Sequence, residues 1–141
     1  MTNFRSDNNA GLCPEALEAI LEAAGGHVVA YGDDVYTHGA VEQFRVLFGS
    51  GTEVYFVATG TAANTLAIAS LTDIWERVLC HRYAHVANAE STAPERIAGC
   101  RVTEIATADS KLTPEVIEHW MKVRHNVHYP QPGVVTITNP T

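Results

Sequence analysis

Three short stretches hold residues able to do chemistry. In the first, Thr59-Gly60-Thr61, two hydroxyls flank a glycine where β-rich apolar sequence gives way to alanine-rich sequence of helical character. A strand that delivers such a corner onto a helix N-terminus gathers unpaired backbone N–H groups at the positive end of the helix dipole. Gly60 allows a sharp turn and a close approach by a ligand. The arrangement suits a phosphate. A plain turn with an N-cap would use the same residues, so the corner alone leaves both readings open. It is neither a Walker loop, since no Gly-Lys-Ser/Thr follows, nor the dinucleotide fingerprint of spaced glycines.

The second stretch is Cys80-His81-Arg82-Tyr83-Ala84-His85, directly after an apolar run. That placement puts His85 at the same sheet rim as the corner, where an imidazole can stack on a planar ring or carry protons. His81 and His85 are four apart, a spacing that holds a metal when both sit on one helix. A dedicated third ligand is not evident, and no metal site is expected. The third stretch, Asn126 to Pro132, carries His128 in a proline-rich loop before the last apolar run. His27, His38, His119 and His125 read as surface residues or local hydrogen bonders.

These residues need a scaffold. Pro14 in a first turn, Glu15 and Glu18 behind it, and the stripe Ala16, Leu17, Ile20, Leu21 predict a helix that Gly25-Gly26 stops. Tyr31-Gly32-Asp33-Asp34 predicts a turn-rich loop, and Val41, Phe44, Leu47 and Phe48 a second helix. A strand over residues 54–57 then runs through the corner into a helix over 62–71. Short apolar runs at 78–80, 102–105 and 134–137 read as strands, with helices around 93–97 and 115–123 between them. Thr113 before Pro114 and Glu115 marks the start of the last helix. Strands alternating with helices predict an α/β fold, a three-layer αβα arrangement around a mostly parallel sheet.

Composition narrows the function. The chain has 141 residues, 46% of them apolar, and a formal net charge of −7. An acidic balance argues against a nucleic-acid partner, because phosphate neutralisation needs clustered Lys and Arg. The apolar runs fall short of the roughly 20 residues that cross a bilayer. The N-terminus lacks the basic-then-apolar pattern of a secretory signal, so a soluble cytoplasmic protein is expected. Cys13, Cys80 and Cys100 are too far apart for a CxxC pair and read as small hydrophobes.

The motifs "FRSDNNAG", "PEALEAI", "YGDD", "VYFVATGTAAN", "CHRYAHVANAE", "DSKLTPE" and "HYPQPGVVTITNPT" occur in this order over residues 4–141. In order and spacing the chain resembles the low-specificity threonine aldolases, and within them the phenylserine aldolase-like branch. The resemblance implies the aspartate-aminotransferase-like fold of the pyridoxal-phosphate enzymes, with a large αβα domain and a smaller C-terminal one. It implies cleavage of β-hydroxy-α-amino acids to glycine and an aldehyde, in oligomers whose active sites lie at subunit interfaces. Carried over motif by motif, Thr59, Gly60 and Thr61 would hold the cofactor phosphate and His85 would stack on the pyridine ring. Ser6 would help to bind the substrate carboxylate, and His128 would lie near the β-hydroxyl, with Glu90 also close to it. Tyr31 and Asp33 would sit near the neighbouring subunit's site.

The resemblance also requires a Schiff-base lysine, an aspartate at the pyridine nitrogen and arginines for the substrate carboxylate. Those positions lie downstream of the family segment this sequence matches. The chain's two lysines, Lys111 in a polar turn and Lys122 near a helix end, read as solvent-facing, whereas a nucleophilic lysine must be desolvated. Residues 1–141 are thus expected to be the N-terminal part of the large domain, with the rest of that domain and the C-terminal domain absent. The final Val134–Thr141 stretch, a strand ending in a loop, supports that expectation. Such a piece is expected to be catalytically incomplete and to associate with itself or with a complementary C-terminal chain. The alternative is a non-catalytic α/β module that oligomerises or captures a phosphorylated small molecule.

Overall fold

The computed structural model describes residues 9–139 and divides the chain into two units, Met1–Tyr55 and Phe56–Thr141. In the first unit, α1 (Pro14–Ala23) begins with Pro14, whose missing N–H costs nothing in a first turn, and with Glu15 at its positive end. Helix α2 (Val35–Phe48) is capped by Asp34, whose carboxylate accepts from the Thr37 amide at 2.8 Å and the Thr37 hydroxyl at 2.7 Å. These two bonds, the hydroxyl's first, hold the Asp34 carboxyl below its usual range. Gly49, with φ 106°, ends α2 in a conformation that favours glycine. Neither helix buries a residue within the chain.

The strand expected over residues 54–57 does not form. No regular element spans them, and Tyr55 and Phe56 are exposed. A valine- and aromatic-rich run is suited to a pleated surface, yet a strand exists only where a neighbour completes its ladder. Among the described residues the sheet has three strands, and this segment is not one of them.

The second unit contains α3 (Gly60–Leu71), β1 (Glu76–His81), α4 (His85–Asn88), α5 (Ala93–Ala98), β2 (Arg101–Ile105), α6 (Pro114–Met121) and β3 (Gln131–Val135). The strand order is β2-β1-β3 and both pairings are parallel, with Val78 opposite Val102 on one side and Val134 on the other. Central β1 is buried from Arg77 to His81, with the apolar run Val78-Leu79-Cys80 at its middle, because both of its faces are covered. Val78 and Cys80 join Ile68 of α3 and Ala98 of α5 in one buried cluster. Leu79, one residue out of phase, points to the opposite face and shares a small cavity with Ile117 and Met121 of α6. Helices therefore lie on both faces, which is the αβα layering expected from sequence.

One detail differs from expectation. Thr113 does sit at the N-cap of α6, but its side chain makes no cap bond and instead hydrogen-bonds Glu115, lowering that carboxyl's pKa. Below the sheet, Arg77 is buried, donates from Nε to the Pro130 carbonyl at 2.8 Å and lies 5.1 Å from the Trp120 ring centre. Burial first, and the charge of Arg101 second, lower its pKa. The side chain thereby pins β1 to the turn before β3 and to α6.

Candidate active site

Helix α3 starts at the expected corner. The Thr59 hydroxyl accepts from the Ala62 amide at 3.1 Å, and the Thr59 carbonyl accepts from the Ala63 amide at 3.1 Å. The amides of Gly60 and Thr61 have no acceptor among the described residues. Gly60 is exposed, and a Cβ placed on it would meet nothing within 4 Å. Its φ lies outside the left-handed region. The glycine thus provides room for close approach, and the turn does not require it. The corner presents free N–H groups to open space at the start of a 12-residue helix.

His85 opens the short helix α4 after the end of β1. Its amide donates to the Thr138 hydroxyl at 3.0 Å, tying it to the chain that continues β3. Its Nδ1 lies 2.6 Å from Oε1 of Glu90, and the same oxygen accepts from the Asn64 side-chain amide at 2.6 Å. The histidine side chain is 55% exposed, whereas that of Glu90 is fully covered. Burial pushes the Glu90 carboxyl up, but bonds from Thr61, Asn64 and His85, with the charge of His85, together bring it below its ordinary value. Glu90 is therefore a carboxylate, sealed behind the imidazole.

A cavity of about 300 Å3 lies beside this network, lined by Asn64, Ala67, Ile68, His85, Val134 and Thr138 among others. A second cavity, of about 430 Å3, is bordered by His81, Asp109, Lys111, Thr138 and Asn139. The chain beyond β3, including Thr136, Ile137 and Thr138, borders both. Parallel sheets present the carboxyl ends of their strands to ligands, and both cavities lie there. Lys111 is exposed, as expected, yet it also edges the larger cavity; Lys122 is exposed at the end of α6.

The structure joins His85 through Glu90 to Asn64 of α3, the helix that starts at the corner, and leaves other predicted residues apart. His81 is buried at the end of β1, its ring between the Tyr83 amide, 3.2 Å from Nδ1, and the Thr107 amide, 3.3 Å from Nε2. It shares no helix with His85, so the spacing that would pair them on a metal is not realised. Among the described residues no group of three potential ligands is present. His128 is exposed in a turn that Gln131 clamps at the entrance of β3 through bonds to Asn126, Tyr129 and His125. Gln131 pairs with Glu76, the first residue of β1, while His85 follows that strand's far end. About 16 Å of strand separates the two rims. Tyr31, with φ 65°, and Asp33 are exposed on the turn before α2, in the first unit. Ser6 lies outside the described residues.

Sequence reasoning missed Asn64 and the contact of Glu90 with His85. Asn64 is three residues after Thr61, a spacing that places both on one helix face. Glu90 carries no periodic signal, because it sits between two short helices and is drawn inward by its donors.

Comparison with known proteins agrees with this geometry. Residues 3–141 match the family model described as beta-eliminating lyase. The chain is 45% identical over 139 residues to the low specificity L-threonine aldolases of a Pseudomonas species and of Pseudomonas aeruginosa. That match takes in 98% of this chain and 40% of each enzyme's length. The solved structure of Leishmania major threonine aldolase superimposes with a TM-score of 0.86 at 25% identity, over 94% of this chain and 39% of that one. With a match along nearly its whole length and the same fold, the chain belongs to the beta-eliminating lyase family, whose members use pyridoxal phosphate.

Proposed function

We propose that this chain is the N-terminal part of a pyridoxal-phosphate enzyme that cleaves β-hydroxy-α-amino acids, of threonine or phenylserine type, to glycine and an aldehyde. The observation that carries this reading is the 45% identity to low specificity L-threonine aldolases over 139 residues, in a chain spanning 40% of their length. The chain is catalytically incomplete by itself, since the cofactor-carrying lysine belongs to the downstream portion. It associates with copies of itself and with that portion. A cytoplasmic setting is consistent with three free cysteines.

The described residues fit the cofactor. The free amides of Gly60 and Thr61, with the Thr59 hydroxyl, which only accepts within the chain, would hold the phosphate at the positive end of α3. The open space over Gly60 lets that phosphate approach the backbone. His85, half exposed beside the smaller cavity, would lie against the ring and keep water from that face. The bound cofactor supplies the electron sink for breaking the Cα–Cβ bond. Ser6 would bind the substrate carboxylate, while Tyr31 and Asp33 would lie at a neighbouring copy's site. A base must accept the β-hydroxyl proton, and His85 and His128 are the candidates. His128 sits at the other end of the sheet from His85, so its contribution would go to a site on another copy.

Titrating the 141-residue chain with pyridoxal phosphate tests the reading. The expected result is saturable binding that inorganic phosphate competes away and that Gly60→Asp abolishes. No aldehyde should form from threonine or phenylserine, and no lysine should be fixed by borohydride. A unique adduct at Lys111 or Lys122 by mass spectrometry, or turnover by the chain alone, would overturn it.

A further inference from the structure

We infer that Glu90 is a positioning residue: its carboxylate accepts a hydrogen bond from Nδ1–H of His85, leaves Nε2 as the free acceptor, and ties that ring through Asn64 to the helix that starts at the Thr-Gly-Thr corner.

Two donors from two helices converge on one oxygen of this covered side chain, Asn64 from α3 and His85 from α4. Burying a carboxylate is costly, and with Oε2 buried without a hydrogen-bond partner the two bonds to Oε1 are what hold the group in place. Oε1 already accepts from Asn64 at 2.6 Å, and the carboxyl stays ionised, so it can only accept from the imidazole. The bond at Nδ1 decides which ring nitrogen carries the proton, and the other nitrogen is left for chemistry.

The backbone beside Glu90 shows that its placement is enforced. Ser91 and Thr92 follow it with φ of 50° and 60°. Two consecutive left-handed residues without a glycine are rare, and for β-branched Thr92 the conformation is strained. Strain of this kind persists where the surroundings over-determine a geometry. Here it turns the chain back into α5 directly after the carboxylate, which leaves Glu90 facing inward.

The carboxylate therefore does for His85 what a buried aspartate does for the histidine of a hydrolytic triad, fixing tautomer and ring plane. Because Asn64 of α3 donates to the same oxygen, one side chain links the imidazole to the helix that starts at the anion corner. The use of this clamp rests on the cofactor reading above, but the clamp itself exists without cofactor. Its test is made on the cofactor-free chain, so the two ideas fail separately.

The experiment is long-range 15N–1H correlation of the histidine-labelled 141-residue chain, with His85 assigned through His85→Gln. In the neutral imidazole, Nδ1 should give the protonated, pyrrole-type shift and Nε2 the bare, pyridine-type shift. The opposite pattern in the unsubstituted chain overturns the proposal without recourse to any variant. Glu90→Leu should abolish the Nδ1–H preference, while Asn64→Leu, which removes the other amide donor, should retain it. Persistence of Nδ1–H in a folded Glu90→Leu chain would show that something other than the carboxylate sets the tautomer.

Discussion

The Glu90 carboxyl titrates below its ordinary 4.5 in the folded chain, so acid acts on the folded and unfolded states unequally. As pH falls, the unfolded carboxyl takes up its proton first, and the folded state keeps its own in ionised form until lower pH. The stability supplied by this group is complete above about pH 4.5 and is lost as pH drops through the lower folded value. Glu90→Gln should therefore flatten the decline in the urea midpoint between neutral pH and about pH 3.5. Asp34 and Glu115, also lowered by their hydrogen bonds, leave a residual slope in that variant. An unchanged slope would mean that the carboxylate is not stabilised by its donors. Of the residues concerned, Thr59, Gly60, Thr61 and His85 were legible from type and spacing. The meeting of Glu90 with His85 and Asn64 was not, because it depends on a loop whose path no local pattern encodes.

At the scale of elements, helices were read nearly to their ends because caps, prolines and apolar stripes are local signals. Residues 54–57 misled for the converse reason: a strand needs a partner that may be anywhere in the chain. The strands that did form share one ladder, with β2 and β3 each paired to β1. Leu79 at its centre is wholly covered, packed toward Ile117 and Met121. Leu79→Ala should cost about 2–5 kcal/mol. Leu17→Ala on α1, where the side chain is 48% exposed, should stay within about 0.5 kcal/mol. Urea unfolding followed by fluorescence reads the first change directly, since Trp75 and Trp120 both belong to the second unit. Equal costs for the two variants would contradict the placement of the core around β1.

The whole molecule joins a unit with a buried parallel sheet to one whose two helices bury nothing within the chain. This asymmetry was only partly legible. The sequence shows apolar stripes on both helices, but whether a stripe is covered depends on partners that periodicity does not name. The cysteines fall on the two sides of the division. Cys13 is exposed in the first unit, while Cys80 and Cys100 are buried in the second. The Cys80 thiol is pushed up to about 11 by burial and by the nearby Glu104 and Glu95, which leaves almost no reactive thiolate at neutral pH. A maleimide should therefore modify the native chain once, at Cys13, and three times in urea; rapid double or triple labelling of native protein would refute the burial. Opening of the sheet is thus written into the chain as a gain of label at two known sites. The rate of that gain, measured by peptide mapping, turns a pair of chemically silent sulfurs into a clock for how often the second unit comes apart.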